Sequence, residues 1–222
     1  MKKLPRKARS RMGKPDRVSA HEDRRRPRFS RELSVLYEDD AVVVLDKPAG
    51  LLAVPIDNLQ MAFNGESNAH HRYVAFAKKA DDEGYGEVAS LFRAAARAEE
   101  IHASNHSAVI RKLGAEPKAT IEAPAVASTR ENLQVAISGE TYERDQMYPA
   151  FISEAKASKN SEAIRTFTYA LKTEAEHARL YSEALKNLDK LRGKSRTYYV
   201  CGVCGALAAA VSIPGVAELN QP

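Results

Sequence analysis

The chain has 222 residues, 44% of them hydrophobic, 28% charged and 7% aromatic, with no tryptophan. That length and apolar content can bury a sizeable core, and two cysteines exclude a disulfide-stapled scaffold and point to a reducing, cytoplasmic compartment. The net charge of +5 is unevenly spread: residues 1–31 hold 13 Lys plus Arg against 3 Asp plus Glu, a net of +10, so the remainder sums to 5 − 10 = −5.

Residues 1–32 lack apolar periodicity and contain three prolines. No hydrophobic run follows the basic start, so this is not a secretory signal. The segment is expected to be disordered and solvated, with a capacity for non-specific RNA contact through its Lys and Arg. Residues 33–56 change character. Leu33 to Tyr37 and Ala41 to Leu45 are β-type runs around Glu38-Asp39-Asp40, and Lys47-Pro48-Ala49-Gly50 breaks them. The stretch YEDDAVVVLDKPAGL resembles the opening of the catalytic domain of pseudouridine synthases of the large-ribosomal-subunit type. That family's catalytic Asp lies in an Arg-Leu-Asp-x-x-Thr-Ser-Gly-like motif that this chain lacks. The fragment is too short to bury a core and is read as a remnant without isomerase activity.

From Asp57 to Gly193 the pattern is helical. Asp57, with Gln60 three residues on, is expected to cap a first helix reaching about Glu83, broken by Gly84-Tyr85-Gly86. A second should run from about Glu87 to Leu113. AEPKATIEAPAVAS follows, with two prolines and no amphipathic face, long enough to cross a bundle from end to end. Ser128 and Glu131 form a capping box that opens a third helix, ending near Ser158. Lys159-Asn160 turns into a fourth, reaching about Arg192. Two short turns and one long crossover predict an all-α, four-helix bundle of two hairpins, in the ferritin-like arrangement.

The bundle carries an internal repeat. NLQMAFNGES (Asn58 to Ser67) and NLQVAISGET (Asn132 to Thr141) match in register at an offset of 132 − 58 = 74. Glu66 precedes Glu99 by 33 residues, and Glu140 precedes Glu174 by 34. Glu99 and Glu174 each begin a Glu-x-x-His, completed by His102 and His177. A single Glu-x-x-His is ordinarily a solvated helix face. Two copies, each preceded by Gly-Glu at a matching distance, read as a duplicated unit built around metal. One Glu from each of two helices and Glu-x-x-His from the others is the pattern of a carboxylate-bridged metal pair. Glu143, one turn after Glu140, adds a fifth carboxylate. Two divalent cations offset the charge that five buried carboxylates would bring, and this donor set suits iron or manganese, with zinc as a substitute. His70, His71 and His106 are read as non-ligands.

The run Asn58 to Leu191 resembles the rubrerythrins. FNGESNAHHRY, AEEIHA, SGETYERDQMYP and TEAEHARLYSEAL fall in that family's order. The resemblance implies two iron ions and a peroxidase that reduces hydrogen peroxide to water. It implies Glu66, Glu99, Glu140 and Glu174 as carboxylate ligands and His177 as a permanent nitrogen ligand. His102 and Glu143 match positions that exchange at one iron with redox state, and Tyr73 and Tyr148 match tyrosines bonded to ligand carboxylates. The ferritin-like bundle also admits a ferroxidase or iron-handling reading, and residues 1–56 admit RNA binding. A homodimer is expected.

In residues 194–222, YYVCGVCG (Tyr198 to Gly205) resembles the first knuckle of the rubredoxin-like domain that follows rubrerythrin bundles. Cys201 and Cys204 stand where four thiolates are needed, so a complete Fe(Cys)4 site is not expected. The remainder is read as a truncated, disordered module. An external donor such as a rubredoxin or its reductase must then supply electrons. Glycines and Pro214 make the uncharged run from Thr197 to Ala217 a poor membrane helix, so no membrane is expected.

Overall fold

The computed structural model describes residues 34–39, 42–46 and 56–210. The disorder expected for residues 1–32 lies outside them. The chain divides into two units, 1–51 and 52–222.

In the first unit, β1 (Ser34–Glu38) pairs antiparallel with β2 (Val43–Asp46), with a register shift between Val35 and Tyr37. Asp39 closes the turn: its carboxylate accepts the Val42 N–H at 2.8 Å and the Tyr37 hydroxyl at 2.5 Å.

The second unit is the helical bundle. Helix α1 (Ile56–Asp82) and helix α2 (Gly86–Lys112) form the first hairpin. Helix α1 includes Ile56, so Asp57 lies within its first turn rather than capping it from outside. Gly84 takes φ +80, a left-handed conformation that glycine adopts without Cβ cost, and this ends the hairpin's turn. The second hairpin begins at the Ser128–Glu131 capping box, with both reciprocal bonds formed. Its first rod is interrupted: α3 (Thr129–Tyr142), a π-helical turn over Glu143–Met147, then α4 (Tyr148–Ala157). Asn160 caps α5 (Ser161–Asn187), its side chain accepting the Ala163 N–H. A 3-10 turn over Leu188–Lys190 takes the fourth rod towards its expected end. Counting the π-interrupted rod once, the architecture is the four-helix bundle expected.

The crossover between the hairpins carries no helix or strand, yet its backbone is paired. Gln60, Asn64 and Asn68 stand four residues apart on α1. Gln60 bonds the Glu116 carbonyl and the Lys118 N–H, Asn64 accepts from the Thr120 N–H, and Asn68 bonds the Thr120 carbonyl and the Glu122 N–H. Four residues of helix advance about 6 Å and two of extended chain about 6.6 Å, so alternate crossover residues meet successive amides.

Two apolar layers fill the core. One gathers Tyr73, Phe76, Phe92, Tyr181, Leu133 and Leu188; the other gathers Leu59, Ile110, Tyr148, Phe151 and Phe167. The aromatic rings in each meet at centroid distances of 5.1–6.3 Å, tilted or edge-on.

The C-terminal tail corrects the sequence expectation. Residues 198–210 are folded: β3 (Tyr198–Val200) pairs antiparallel with β4 (Leu207–Ala209), and Leu207 is buried in the first apolar layer. Backbone bonds close the Cys-x-x-Cys loop. The Cys201 N–H reaches the Ala206 carbonyl, and the Gly205 N–H reaches the Cys201 carbonyl, both at 2.9 Å. Residues 211–222 lie outside the described residues.

Candidate dinuclear metal centre

Helix periodicity places each candidate ligand. Three residues apart, Glu99 and His102 share one face of α2, and Glu174 and His177 share one face of α5. Glu66 projects from α1 and Glu140 from α3. All six are at most 2% exposed. Their donor atoms fall into two groups, each within 4.8 Å: Glu66, Glu99, His102 and Glu174, and Glu99, Glu140, Glu174 and His177. Glu99 and Glu174 belong to both. His102 Nδ1 lies 3.0 Å from oxygens of Glu99 and Glu174 and 3.8 Å from Glu66; His177 Nδ1 lies 3.2, 3.0 and 3.6 Å from Glu99, Glu174 and Glu140. The two copies are thus related by a pseudo-twofold exchange, with two carboxylates on the axis.

The tyrosines cross the copies. Tyr73 donates to Glu140 at 2.5 Å, and Tyr148 donates to Glu66. Tyr73 follows Glu66 by 7 residues, two regular turns, whereas Tyr148 follows Glu140 by 8. The π-helical turn absorbs the extra residue and returns Tyr148 to the site face. Both copies then need 26 residues from tyrosine to Glu-x-x-His (99 − 73 and 174 − 148). The unequal offsets of 33 and 34 reduce to this single inserted residue. Glu143 opens the π turn, half-buried, and joins neither donor group.

The electrostatics call for cations. Burial, with the charges of Glu143, Glu99 and Glu174, pushes Glu66 well above the usual carboxylate range. Burial and Glu99 push Glu140 up to about 8, and burial with Glu140, Glu174 and Glu99 raises Glu143. Glu99 is lowered against its own burial, chiefly by His177 and His102. Glu66 Oε2, Glu99 Oε1, Glu140 Oε2, both Glu174 oxygens and both His177 nitrogens are buried without a hydrogen bond. Buried polar groups are rarely left so.

His102 supplies the sharper test. Its Nε2 is 3.1 Å from the Cys204 carbonyl, which can only accept, so Nε2 carries the proton. Glu174, Glu99 and Glu66 raise this ring against its burial, and once Nδ1 gives up its proton its lone pair faces two carboxylates, an arrangement a shared cation relieves. These residues fit a pair of metal ions held by oxygen and imidazole.

Two residues escaped the sequence reading. His106 is buried between Tyr148 and Thr166: its Nε2 is 3.2 Å from the Tyr148 hydroxyl and its Nδ1 2.9 Å from Thr166 Oγ1. Because Tyr148 gives its proton to Glu66, His106 donates to Tyr148 and accepts from Thr166. Burial and the nearby His102 hold it down to about 3, hence neutral. Tyr181 occupies the corresponding place in the second copy (106 + 75), with a buried hydroxyl that has no partner. The shared spacing was the available signal, hidden by the change of residue type. His70 bonds the Ala96 carbonyl and His71 the Ser67 carbonyl, away from the donor groups.

Comparison with known proteins agrees with this geometry. The rubrerythrin family model matches residues 57–185. Nigerythrin of Nitratidesulfovibrio vulgaris is 39% identical over 153 residues, covering 68% of this chain and 74% of its own length. Rubrerythrin-2 of Clostridium acetobutylicum is 38% identical, over 69% of this chain and 84% of its own. Among solved structures, fully reduced, all-ferrous nigerythrin superimposes with a TM-score of 0.67 at 35% identity, over 76% of this chain and 81% of that one. Bacterioferritin of Desulfovibrio desulfuricans, described with a diiron site, gives 0.59 at 25% identity, over 63% and 87%.

Proposed function

The chain belongs to the rubrerythrin family, and from that premise we propose that it is a non-haem di-iron peroxidase that reduces hydrogen peroxide to water. The observation carrying this reading is the pair of overlapping donor groups that share Glu99 and Glu174 between His102 and His177. Two iron ions held by these six residues would supply, in the ferrous state, the two electrons that peroxide reduction needs.

The protein's own groups hold and orient. Glu99 and Glu174 span both positions; Glu66 with His102, and Glu140 with His177, close the two ends. The Tyr73 and Tyr148 hydroxyls keep their protons, raised by burial and by the carboxylates they face, and fix the Glu140 and Glu66 oxygens. Glu143, whose carboxyl is raised by burial and by the charges of Glu140, Glu174 and Glu99, lies one turn from Glu140 and would exchange with His102 as ligand. The two aromatic layers exclude water from either side.

These residues supply two cysteines, so electrons come from an external donor such as a rubredoxin or its reductase. A homodimer and a cytoplasmic setting belong to the same reading; among the described residues no helix is long and apolar enough to cross a membrane. The likeness to bacterioferritin supports a second reading, oxidation and handling of Fe(II).

The test is the iron content per chain with steady-state peroxide consumption, donor supplied. Two irons and sustained peroxide reduction are expected; a protein that oxidises Fe(II) without consuming peroxide at the donor's expense is the iron-handling alternative.

A further inference from the structure

A string of polar groups runs from the cage into the core. Thr166 Oγ1 lies 2.9 Å from His106 Nδ1, His106 Nε2 lies 3.2 Å from the Tyr148 hydroxyl, and Tyr148 donates to Glu66. All four residues are at most 5% exposed, and they come from four helices, α5, α2, α4 and α1. A neutral imidazole offers one donor and one acceptor. Tyr148 gives its proton to Glu66, so Nε2 carries the ring proton and Nδ1 takes that of Thr166. Every bond then points towards Glu66, and bonds in series polarise one another. The second copy is built differently. Tyr73 donates to Glu140 at 2.5 Å, but Tyr181, which matches His106, has a hydroxyl without a partner and so gives Tyr73 no hydrogen bond.

We propose that His106, its tautomer set by Thr166, is a positioning residue for one metal position only: it locks the Tyr148 hydroxyl onto Glu66 and tightens the ion held by Glu66 and His102. Glu66 and Glu140 each keep Oε2 without a hydrogen bond, free for metal, while the other oxygen takes a tyrosine proton. The difference lies in what stops that proton from turning away. A phenol O–H prefers the plane of its ring, which leaves it two settings. At Tyr148 the setting that faces His106 is closed by the Nε2 proton. In the other tautomer Nε2 would accept from Tyr148 and take the proton off Glu66; Thr166, donating to Nδ1, excludes that form. A ligand already oriented has less freedom to lose on binding, and outer partners of this kind are worth about 10–100-fold in metal affinity. The inference rests on the paired metal positions and not on peroxide turnover.

The experiment measures Zn(II) affinity of the full chain by chelator competition, which needs no redox chemistry. Glu140→Ala leaves the Glu66–His102 position as the probe, and Glu66→Ala leaves the Glu140–His177 position. His106→Leu should weaken Zn(II) by about tenfold in the first background and leave it unchanged in the second. His106→Gln, whose amide can donate to Tyr148 and accept from Thr166, should restore the affinity. Thr166→Val should lower it, and Thr166→Ser should not. Nitrogen-15 NMR of the otherwise unsubstituted chain should find the His106 proton on Nε2. Equal weakening in both backgrounds would show a general packing role and overturn the proposal. So would a His106→Gln protein as weak as His106→Leu, or a proton on Nδ1. An unsubstituted chain that binds fewer than two Zn(II) would undo the dinuclear centre itself, and this inference with it.

Discussion

The two halves of the bundle present the same groups to the site and differ in how each is supported. In the first, α1 is unbroken, and His102 is held from outside by the Cys204 carbonyl. In the second, a π-helical turn opens at Glu143, while His177 Nε2 has no hydrogen-bond partner. His106 braces Tyr148 from the first half; its counterpart Tyr181 braces nothing through its hydroxyl. The donor set is symmetric because two cations need equivalent cages. The surroundings are not, and it is there that the two ends acquire different chemistry.

The largest expected effect follows from removing what the halves share. Glu174→Ala should lower bound metal from two per chain to at most one, because Glu174 belongs to both donor groups. Glu66→Ala, which touches one group, should keep at least one ion. Metal analysis per chain checks both, and a Glu174→Ala protein with two ions would end the assignment.

Next come the crossed tyrosines. Tyr148→Phe strands both Glu66 and His106, whereas Tyr73→Phe strands Glu140 alone. Each buried group left unsatisfied costs roughly 1–3 kcal/mol. Denaturant unfolding of the metal-free proteins should therefore rank Tyr148→Phe below Tyr73→Phe; equal losses would mean that His106 contributes nothing.

A pH series sharpens the same asymmetry. His106 falls from an ordinary value near 6.5 to about 3 in the folded protein. Below 6.5 the unfolded chain binds a proton that the folded one refuses, so stability is lost as pH falls, by about 1.4 kcal/mol per pH unit. At pH 5.5 the native protein should have lost about that much relative to His106→Phe, compared with the pair at pH 7.5. A difference that does not change with pH would place a charged His106 in the fold.

Smaller effects are expected from length changes. Deleting Gln146 gives the second half the 7-residue spacing of the first, so two ions should still bind, while Glu143 loses its place and the rate of ferrous oxidation changes. A metal count below two would show the π turn to be needed for the cage itself. Deleting residues 1–55 should leave the metal count and the unfolding midpoint unchanged, since every donor lies between Glu66 and His177; a shifted midpoint would show that the extension supports the bundle.

Much of this was legible in the sequence because the repeat advertises itself twice. Helix ends at Gly84, Ser128 and Asn160 follow from local chemistry, and the Glu-x-x-His pairs fix which faces meet. The π turn was present only as the difference between 33 and 34, and a single inserted residue is silent until both halves are superposed. His106 looked like any lone histidine; its role depends on Thr166, 60 residues away. The hairpin at Tyr198 read as disordered because two cysteines implied a broken metal site, yet its order comes from Leu207 burial and from backbone bonds to its own loop and to His102. Such non-local contacts leave no mark on composition.

The amide ladder that secures the crossover carries a consequence in time. Gln60, Asn64 and Asn68 line up only when α1 is already wound; in a coiled segment their side chains point in unrelated directions. The crossover therefore has no template until the first hairpin exists, and it must close loops of 52–58 residues to find one. Local helix and hairpin formation is fast, whereas distant closure is slow. Assembly should then proceed as a sequence of commitments: the first hairpin winds, the crossover zips along it, and the second hairpin is delivered in register. A one-residue slip of the strand would turn its N–H and C=O groups away from the side-chain amides, so the ladder also proofreads the register in which four rods bring six donors to one place.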